Sequence, residues 1–381
     1  MVAKRSALSS PPPPHIPLRT RFACSLPLSP RKGTVMTRYH SYLSVANDSW
    51  SRHIMPAMTK EQLEHFEHFG FVTAEGVLDP EQIIDPVIDE YAGVLDSLAD
   101  ELYEEGKISS KYEELDFGER VTQIYAESDE IYNGYFDFSL PQGGVKEDTP
   151  FWAGPAVFDA LTAPGMLDAV ESFIGPEIYS NPVQHVRIKV PESRAPRDEK
   201  GHVKFGITPW HQDQGVVNPD ADETEMLTVW FPLMDADVEN GCLSVVPGSH
   251  RNDLLTHCPG FDNGLQSGLQ IPETEFEVGK AVPIPLKKGD ALFMTKFTVH
   301  SSLPNNSDRI RWSFDLRYNP IGQSTGRTSF PGFVARSRSN PQSELHDAAI
   351  WNELWTDARD SLAKGEQPSF NRWDGSEPAC A

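Results

Sequence analysis

Apolar residues recur at two different periods along this chain, and the change of period divides it. In MTKEQLEHFEHFGFVTAEGVLD (58–79), Leu63, Phe66 and Phe69 fall on one helical face. Thr59 and Gln62 form a capping-box pattern ahead of them, and Gly70 ends the helix before FVTAEGVL, which reads as a strand. Residues 80–106 are acidic, with Ile83, Ile84, Val87, Ile88, Tyr91, Val94, Leu95 and Leu98 at spacings suited to a second helix, kinked near its start by Pro86. A further helix is expected over 155–174. From about 178 the period drops to two. VQHVRIKV (183–190), MLTVWFPL (226–233), CLSVVPG (242–248), ALFMTKF (291–297) and IRWSFDLRY (310–318) alternate, separated by turn clusters such as Asn240-Gly241, Gly289-Asp290 and Pro304-Asn305-Asn306. Residues 341–365 return to a helical pattern. Helices, then strands, then a helix predict one α+β domain, with a β-barrel core braced by helices at both ends.

Residues 1–45 have no period. PPPP at 11–14 and the surrounding Pro, Ser and Arg cannot bury enough apolar surface to offset the entropy of ordering, so a disordered basic extension or an over-long start is expected. A mitochondrial transit peptide is the alternative, supported by an Arg/Ser-rich, acid-free composition and opposed by the prolines. The expected divisions are therefore this extension, a domain over 58–340, and a C-terminal helix and tail over 341–381.

Charge and cysteine content narrow the partners. The net charge is −23, and the first 46 residues carry seven Lys/Arg and no acid, which leaves the remainder at −30. Such a body repels nucleic acid and anionic membrane surfaces. No apolar run approaches the roughly 18 residues of a membrane span, so the expected compartment is cytoplasmic, or mitochondrial if the leader is a targeting segment. The four cysteines, Cys24, Cys242, Cys258 and Cys380, include no CxxC pair and are too scattered for a disulfide framework, so free thiols in a reducing compartment are expected. Cys242 reads as a small packed hydrophobe. Oligomeric state is not legible.

Chemistry enters with PWHQDQG (209–215). On a strand, residues two apart face the same way, so His211 and Asp213 can reach one ion while Gln212 points away. HFE at 65–67 has the same spacing but lies in a helix, where His65 and Glu67 diverge. An isolated His-x-Asp is common. Here it is followed by a strand containing Trp230, by ENGCLSVVPGSH (239–250), and by HSSLPNNSDRIR (300–311), in which His300 ends one strand and Arg311 starts the next. Alternation puts Arg311, Ser313, Asp315 and Arg317 on one face, expected to point inward with Asp315 partnering Arg317. Ile310, Trp312, Phe314 and Leu316 then face the helices.

Over roughly 58–340 these segments resemble the phytanoyl-CoA dioxygenase family of Fe(II)/2-oxoglutarate oxygenases. The resemblance rests on HQD, on Trp230 seventeen residues after Asp213, on ENGCLSVVPGSH, and on the H-x-S-x-x-N-x-S-x-x-x-R spacing of 300–311. It implies a double-stranded β-helix, the jelly-roll barrel, with His211, Asp213 and His300 as iron ligands. It further implies that Arg311 binds the distal carboxylate of 2-oxoglutarate and that Ser302 and Trp230 line the co-substrate site. His185 and Lys189 in VQHVRIKV match positions near the co-substrate, although the family's double proline is Val190-Pro191 here. Two histidines and a carboxylate leave three positions on octahedral iron, two for 2-oxoglutarate and one for O2. The implied reaction is hydroxylation of a C–H bond of a small organic substrate, with release of succinate and CO2. Related halogenases replace the carboxylate by a small residue, and this chain keeps Asp213. A non-enzymatic metal-binding barrel and a ligand-binding member without turnover are the rival readings. The substrate itself is not implied. GRTSFPGFVARSR (326–338) is a basic patch expected over the mouth, where Arg327 contacts an anionic substrate or caps the site; Arg317 is a second candidate substrate residue. His250 is expected to hydrogen-bond within its loop, and His202 and His257 to be solvated.

Overall fold

A computed structural model describes residues 58–259, 269–366, 370 and 372–381, so the expected extension over 1–45 lies outside the described residues. Thr59 caps helix α1 (Lys60–Phe69) through both halves of the capping box, and Gly70 ends it in left-handed backbone at φ 83°. Strand β1 (Phe71–Ala74) follows. A π-type turn over Pro80–Ile84 leads into α2 (Asp85–Glu104). Pro86 sits in the first turn of α2, where its missing N–H leaves no helix bond unmade, so it marks a start rather than a kink within a longer helix. Helix α3 (Phe117–Ser128), capped by Asp116, was not expected from the apolar spacing. The single helix expected over 155–174 is two, α4 (Pro155–Leu161) and α5 (Pro164–Ile174). The break follows from Pro164, which holds Ala163 extended at ψ 132°.

The strands are β2 (Glu177–Lys189), β3 (Leu227–Pro232), β4 (Leu243–Val245), β5 (Cys258–Pro259), β6 (Leu269–Gln270), β7 (Val282–Ile284), β8 (Ala291–Thr295), β9 (His300–Ser302), β10 (Arg311–Pro320) and β11 (Phe333–Ser337). Helix α6 (Ala348–Lys364) comes last. All pairings are antiparallel. They form a six-stranded sheet in the order β1-β8-β3-β10-β2-β11, a three-stranded sheet β7-β4-β9, and the short pair β5-β6. The named strands make a mixed helix and antiparallel-sheet architecture without closing into one barrel. No helix among the described residues is long and apolar enough to cross a membrane.

β10 shows why the site lies where it does. Its apolar row packs on the helices: Trp312 stacks on Phe117 with ring centroids 4.3 Å apart, and Phe314 meets Phe138 edge-on at 5.0 Å. Each such buried side chain stabilises the fold by roughly 1.5–3 kcal/mol. Its polar row faces the smaller sheet, as alternation predicted, and Arg317 ion-pairs with Asp315. Trp230, Leu292 and Met294 of the large sheet meet Leu243, Val245 and Ile284 of the small one, which closes the space beside that polar row.

Three expectations are corrected here. The basic segment 326–338 is not a patch over a mouth, because β11 adds to the edge of the large sheet beside β2. Arg336 is held by Asp168 (2.7 Å) and Glu171 (2.9 Å), Arg338 by Glu171 (2.9 Å), and Arg327 is fully buried. The cysteines are not all free: Cys258 and Cys380, 122 positions apart, form a disulfide with a Cα–Cα distance of 5.4 Å. Long-range folding brings them together, which spacing along the chain cannot reveal. Cys242 is free and buried, as expected. Finally, His257 is not solvated but fully buried.

Candidate metal centre

His211 and His300 are placed by backbone pairing. Each donates its amide to the other's carbonyl at 3.0 Å, which makes them a hydrogen-bonded antiparallel pair with side chains side by side. Their ring centroids are 4.1 Å apart. Gln212 is extended (φ −115°, ψ 139°) and Asp213 opens a 3-10 turn over Asp213–Val216. The strand thus lasts just long enough for His211 and Asp213 to share a face. The Gln212 side chain turns away and binds Phe297 O at 2.9 Å and the Leu255 amide at 2.7 Å. Asp213 Oδ1 lies 3.6 Å from His211 Nε2 and 3.9 Å from His300 Nε2, and ligand atoms of all three fall within 4.8 Å of one another.

The hydrogen bonds settle which ring nitrogens carry protons. His211 Nδ1 lies 2.8 Å from Pro209 O and His300 Nδ1 lies 2.9 Å from Thr298 O. A carbonyl only accepts, so each Nδ1 is the donor, and each Nε2 is the ring nitrogen turned toward Asp213. Burial, and then the neighbouring His211, push His300 down to about 4, so it is neutral near pH 7. Burial alone would raise the Asp213 carboxyl, but the Arg317 guanidinium and the two histidines outweigh it and hold it well below the usual range. Arg317 Nη2 donates to Asp213 Oδ1 at 2.5 Å, and the Thr228 hydroxyl donates to Oδ2. Two imidazole nitrogens and one buried anionic oxygen, each ligand oriented by a second bond, suit a divalent transition metal.

His211 and His300 border a small cavity whose lining also includes Thr228, Trp230, Arg311 and Arg317. Arg311 is buried, with Nε on Gly241 O (3.1 Å) and Nη1 on Ser313 Oγ. Among the described residues it has no carboxylate partner; burial and then Arg187 lower it to about 9. Arg187, known from the sequence only as a strand neighbour, also lines the cavity and binds Asp315 at 2.9 Å.

The other residues singled out in the sequence are not among those lining this cavity. Lys189 donates to Ser302 Oγ and, at 3.3 Å, to Leu303 O; burial and then Arg311 hold its pKa well below the usual lysine range. Ser302 Oγ also takes the Thr208 amide at 2.6 Å, which fastens the 208–211 segment to β9. His185 sits 3.0 Å from both Asp137 and Ser139. Arg327 Nη2 donates to Val216 O at 3.0 Å, beneath the turn that begins at Asp213. His250 bonds Glu67 O at 3.2 Å, and His202 pairs with Asp198. His257 Nε2 accepts the Gln212 amide at 2.8 Å, between the two ligand positions of HQD. The reading of the sequence missed Thr228, which shares a strand face with Trp230 and was within reach of the period-two argument.

Comparison with known proteins matches residues 66–313 to the family model described as phytanoyl-CoA dioxygenase (PhyH). The chain belongs to the phytanoyl-CoA dioxygenase family. Curated relatives include a phytanoyl-CoA dioxygenase of Arabidopsis thaliana, 32% identical over 28% of this chain and 36% of that protein. The peroxisomal phytanoyl-CoA dioxygenase of Bos taurus is 29% identical over 58% of this chain and 64% of its own length. A Danio rerio phytanoyl-CoA dioxygenase domain-containing protein 1 is 27% identical over 68% of this chain and 88% of its own. The first relatives are thus matched over less than two thirds of their length. Among solved structures, a non-heme monooxygenase (ThoJ, apo form) aligns with 78% of this chain and 95% of its own at a TM-score of 0.49 and 17% identity.

Proposed function

We propose that this chain is a non-haem Fe(II)- and 2-oxoglutarate-dependent dioxygenase that hydroxylates a C–H bond of a small organic substrate. The family membership supports the class. The observation that carries the reading is Arg311, a buried guanidinium with no carboxylate partner among the described residues, which borders the same cavity as His211 and His300. An uncompensated buried cation is costly, and a small dianion that also chelates a metal offsets it. A purely structural metal site has no use for such a clamp.

In this reading His211, Asp213 and His300 hold Fe(II), and Arg311 takes the distal carboxylate of 2-oxoglutarate through a paired N–H geometry. The bound iron, with 2-oxoglutarate and O2, supplies the oxidation, which yields succinate, CO2 and hydroxylated product. Trp230 forms a wall of the co-substrate site, and Lys189, Ser302 and His185 support its polar end. Thr228 and Arg317 fix the Asp213 carboxylate, and Arg317 faces the cavity where a substrate group would lie. The apolar contact between the two sheets excludes water from the reacting end. The facing sheets themselves read as a double-stranded β-helix. The strongly acidic body disfavours nucleic acid and anionic membranes as partners.

The test is an anaerobic titration with Fe(II) and 2-oxoglutarate, which gives a weak visible charge-transfer band near ~500 nm when a keto acid chelates iron in a two-histidine, one-carboxylate site. Wild type should show the band and release succinate with a suitable substrate. Asp213→Ala and Arg311→Ala should weaken or abolish it. Iron-loaded wild type without a band overturns the reading in favour of a simple metal-binding barrel.

A further inference from the structure

Four residues near the C-terminal end converge on the underside of the loop that carries His211 and Asp213. Trp373 stacks on the His257 ring, with centroids 4.7 Å apart and planes at 19°. His257 donates from Nδ1 to Leu255 O (2.9 Å) and accepts the Gln212 amide on Nε2 (2.8 Å). The next turn of the loop leans on the same ring: a Cβ on Gly215 would come within 2.4 Å of His257 Nε2. Arg372 reaches the far end of the loop, with Nε on Val217 O (2.5 Å) and Nη2 on Asn218 O (3.0 Å). It also pairs with Asp222 at 2.6 Å, and Asp222 in turn receives Gln214 Nε2 at 2.9 Å. Phe370 covers the Arg327 guanidinium at 4.9 Å, and Arg327 holds Val216 O. Cys380 is joined to Cys258, the residue next to His257.

We propose that Phe370, Arg372 and Trp373, fastened by Cys380, are positioning residues for the metal centre and act through the 212–218 backbone. The proposal rests on the metal reading above. This loop leaves the strand at Gln212, and its backbone groups from there to Asn218 lie outside any sheet ladder. Irregular backbone must find other partners for its carbonyls and amides. Here Val216, Val217 and Asn218 find guanidinium groups, and Gln212 finds an imidazole held in place by an indole. Outer contacts of this kind orient ligands, and their loss weakens metal binding by roughly 10–100-fold. The contacts of Arg372 and Trp373 among the described residues are with Val217, Asn218, Asp222 and His257 rather than with the metal ligands, so their influence on the centre is relayed by the loop.

The experiment uses the full chain as wild type, Arg372→Ala, Trp373→Ala, Trp373→Phe and Cys380→Ser. Amide hydrogen exchange of the metal-free proteins reads the loop directly. Titration with Co(II), followed by its visible ligand-field bands, reads the site without turnover. Arg372→Ala and Trp373→Ala should raise exchange within 209–218, weaken Co(II) binding by about tenfold or more and alter the bands, while α2 and β10 exchange at the wild-type rate. Trp373→Phe keeps a ring face on His257 and should stay near wild type. Cys380→Ser should shift both readouts in the same direction by a smaller factor. Wild-type exchange and Co(II) affinity in Arg372→Ala and Trp373→Ala overturn the proposal. So does faster exchange spread over the whole sheet, which marks a general loss of stability. Wild-type protein that binds no Co(II) overturns the metal reading instead, and the exchange data then decide by themselves whether the tail holds the loop.

Discussion

Both oxygens of Asp213 carry a donor, Thr228 on Oδ2 and Arg317 on Oδ1. Thr228→Val keeps the shape of the side chain and removes the hydroxyl. It should leave the fold intact and weaken Fe(II) binding by about tenfold, measured by anaerobic titration. His257 offers a test in pH. Burial pushes it down from 6.5 to about 3, so between those values the unfolded chain binds a proton that the folded one refuses. Stability therefore falls as pH drops through this window and is insensitive to His257 above it. Denaturant midpoints for His257→Gln should decline less steeply than wild type between pH 6.5 and 4; equal slopes would remove His257 as a source of acid sensitivity. The shared face of His211 and Asp213 was legible from a period of two, whereas His300 and Arg311 were added by the family resemblance of 300–311. His257 was not legible, since its role depends on the Gln212 amide 45 positions away and on an indole near the chain's end.

Turns matter at the scale of elements as much as strands do. Gly241, at φ 92°, leads into β4, and a Cβ there would lie 2.7 Å from Leu303 O. Its own carbonyl accepts Arg311 Nε. Gly241→Ala must shift this turn and with it the guanidinium, at a cost of about 1–3 kcal/mol in stability. The half-saturating concentration of 2-oxoglutarate should rise by about tenfold, equivalent to about 1.4 kcal/mol. An unchanged value would show that the turn does not set the position of Arg311. Of the strands that build the site, β2, β3, β8 and β10 were readable because one face of each is apolar against helices or the second sheet. β11 was not: its Arg336 reads as solvent-facing until Asp168 and Glu171 on α5 are seen beside it. The break between α4 and α5 was written in the sequence at Pro164, and the apolar spacing across it obscured the stop.

For the molecule as a whole, the unforeseen feature is the disulfide that returns the end of the chain to β5. Digestion after alkylation without reduction should recover Cys258 and Cys380 in one linked peptide and Cys242 as an alkylated thiol. Replacing Cys258 and Cys380 together by serine should cost about 2–5 kcal/mol, read from urea unfolding, because the bond closes a long loop. The mixture of helices and antiparallel sheet and the strongly acidic charge were visible in period and composition. The closure was not, because two cysteines 122 positions apart carry no local signature of each other.

The bracing of the loop also fixes an order of assembly. A ribosome making this chain delivers His211, Asp213 and His300 well before Phe370, Arg372 and Trp373, and chains fold from the N-terminal side as they emerge. A nascent chain can therefore present all three ligands while the Val217 and Asn218 carbonyls still lack their guanidinium. On this account the centre matures last: a cation met during translation is held loosely and exchanges, and tight binding waits for the tail.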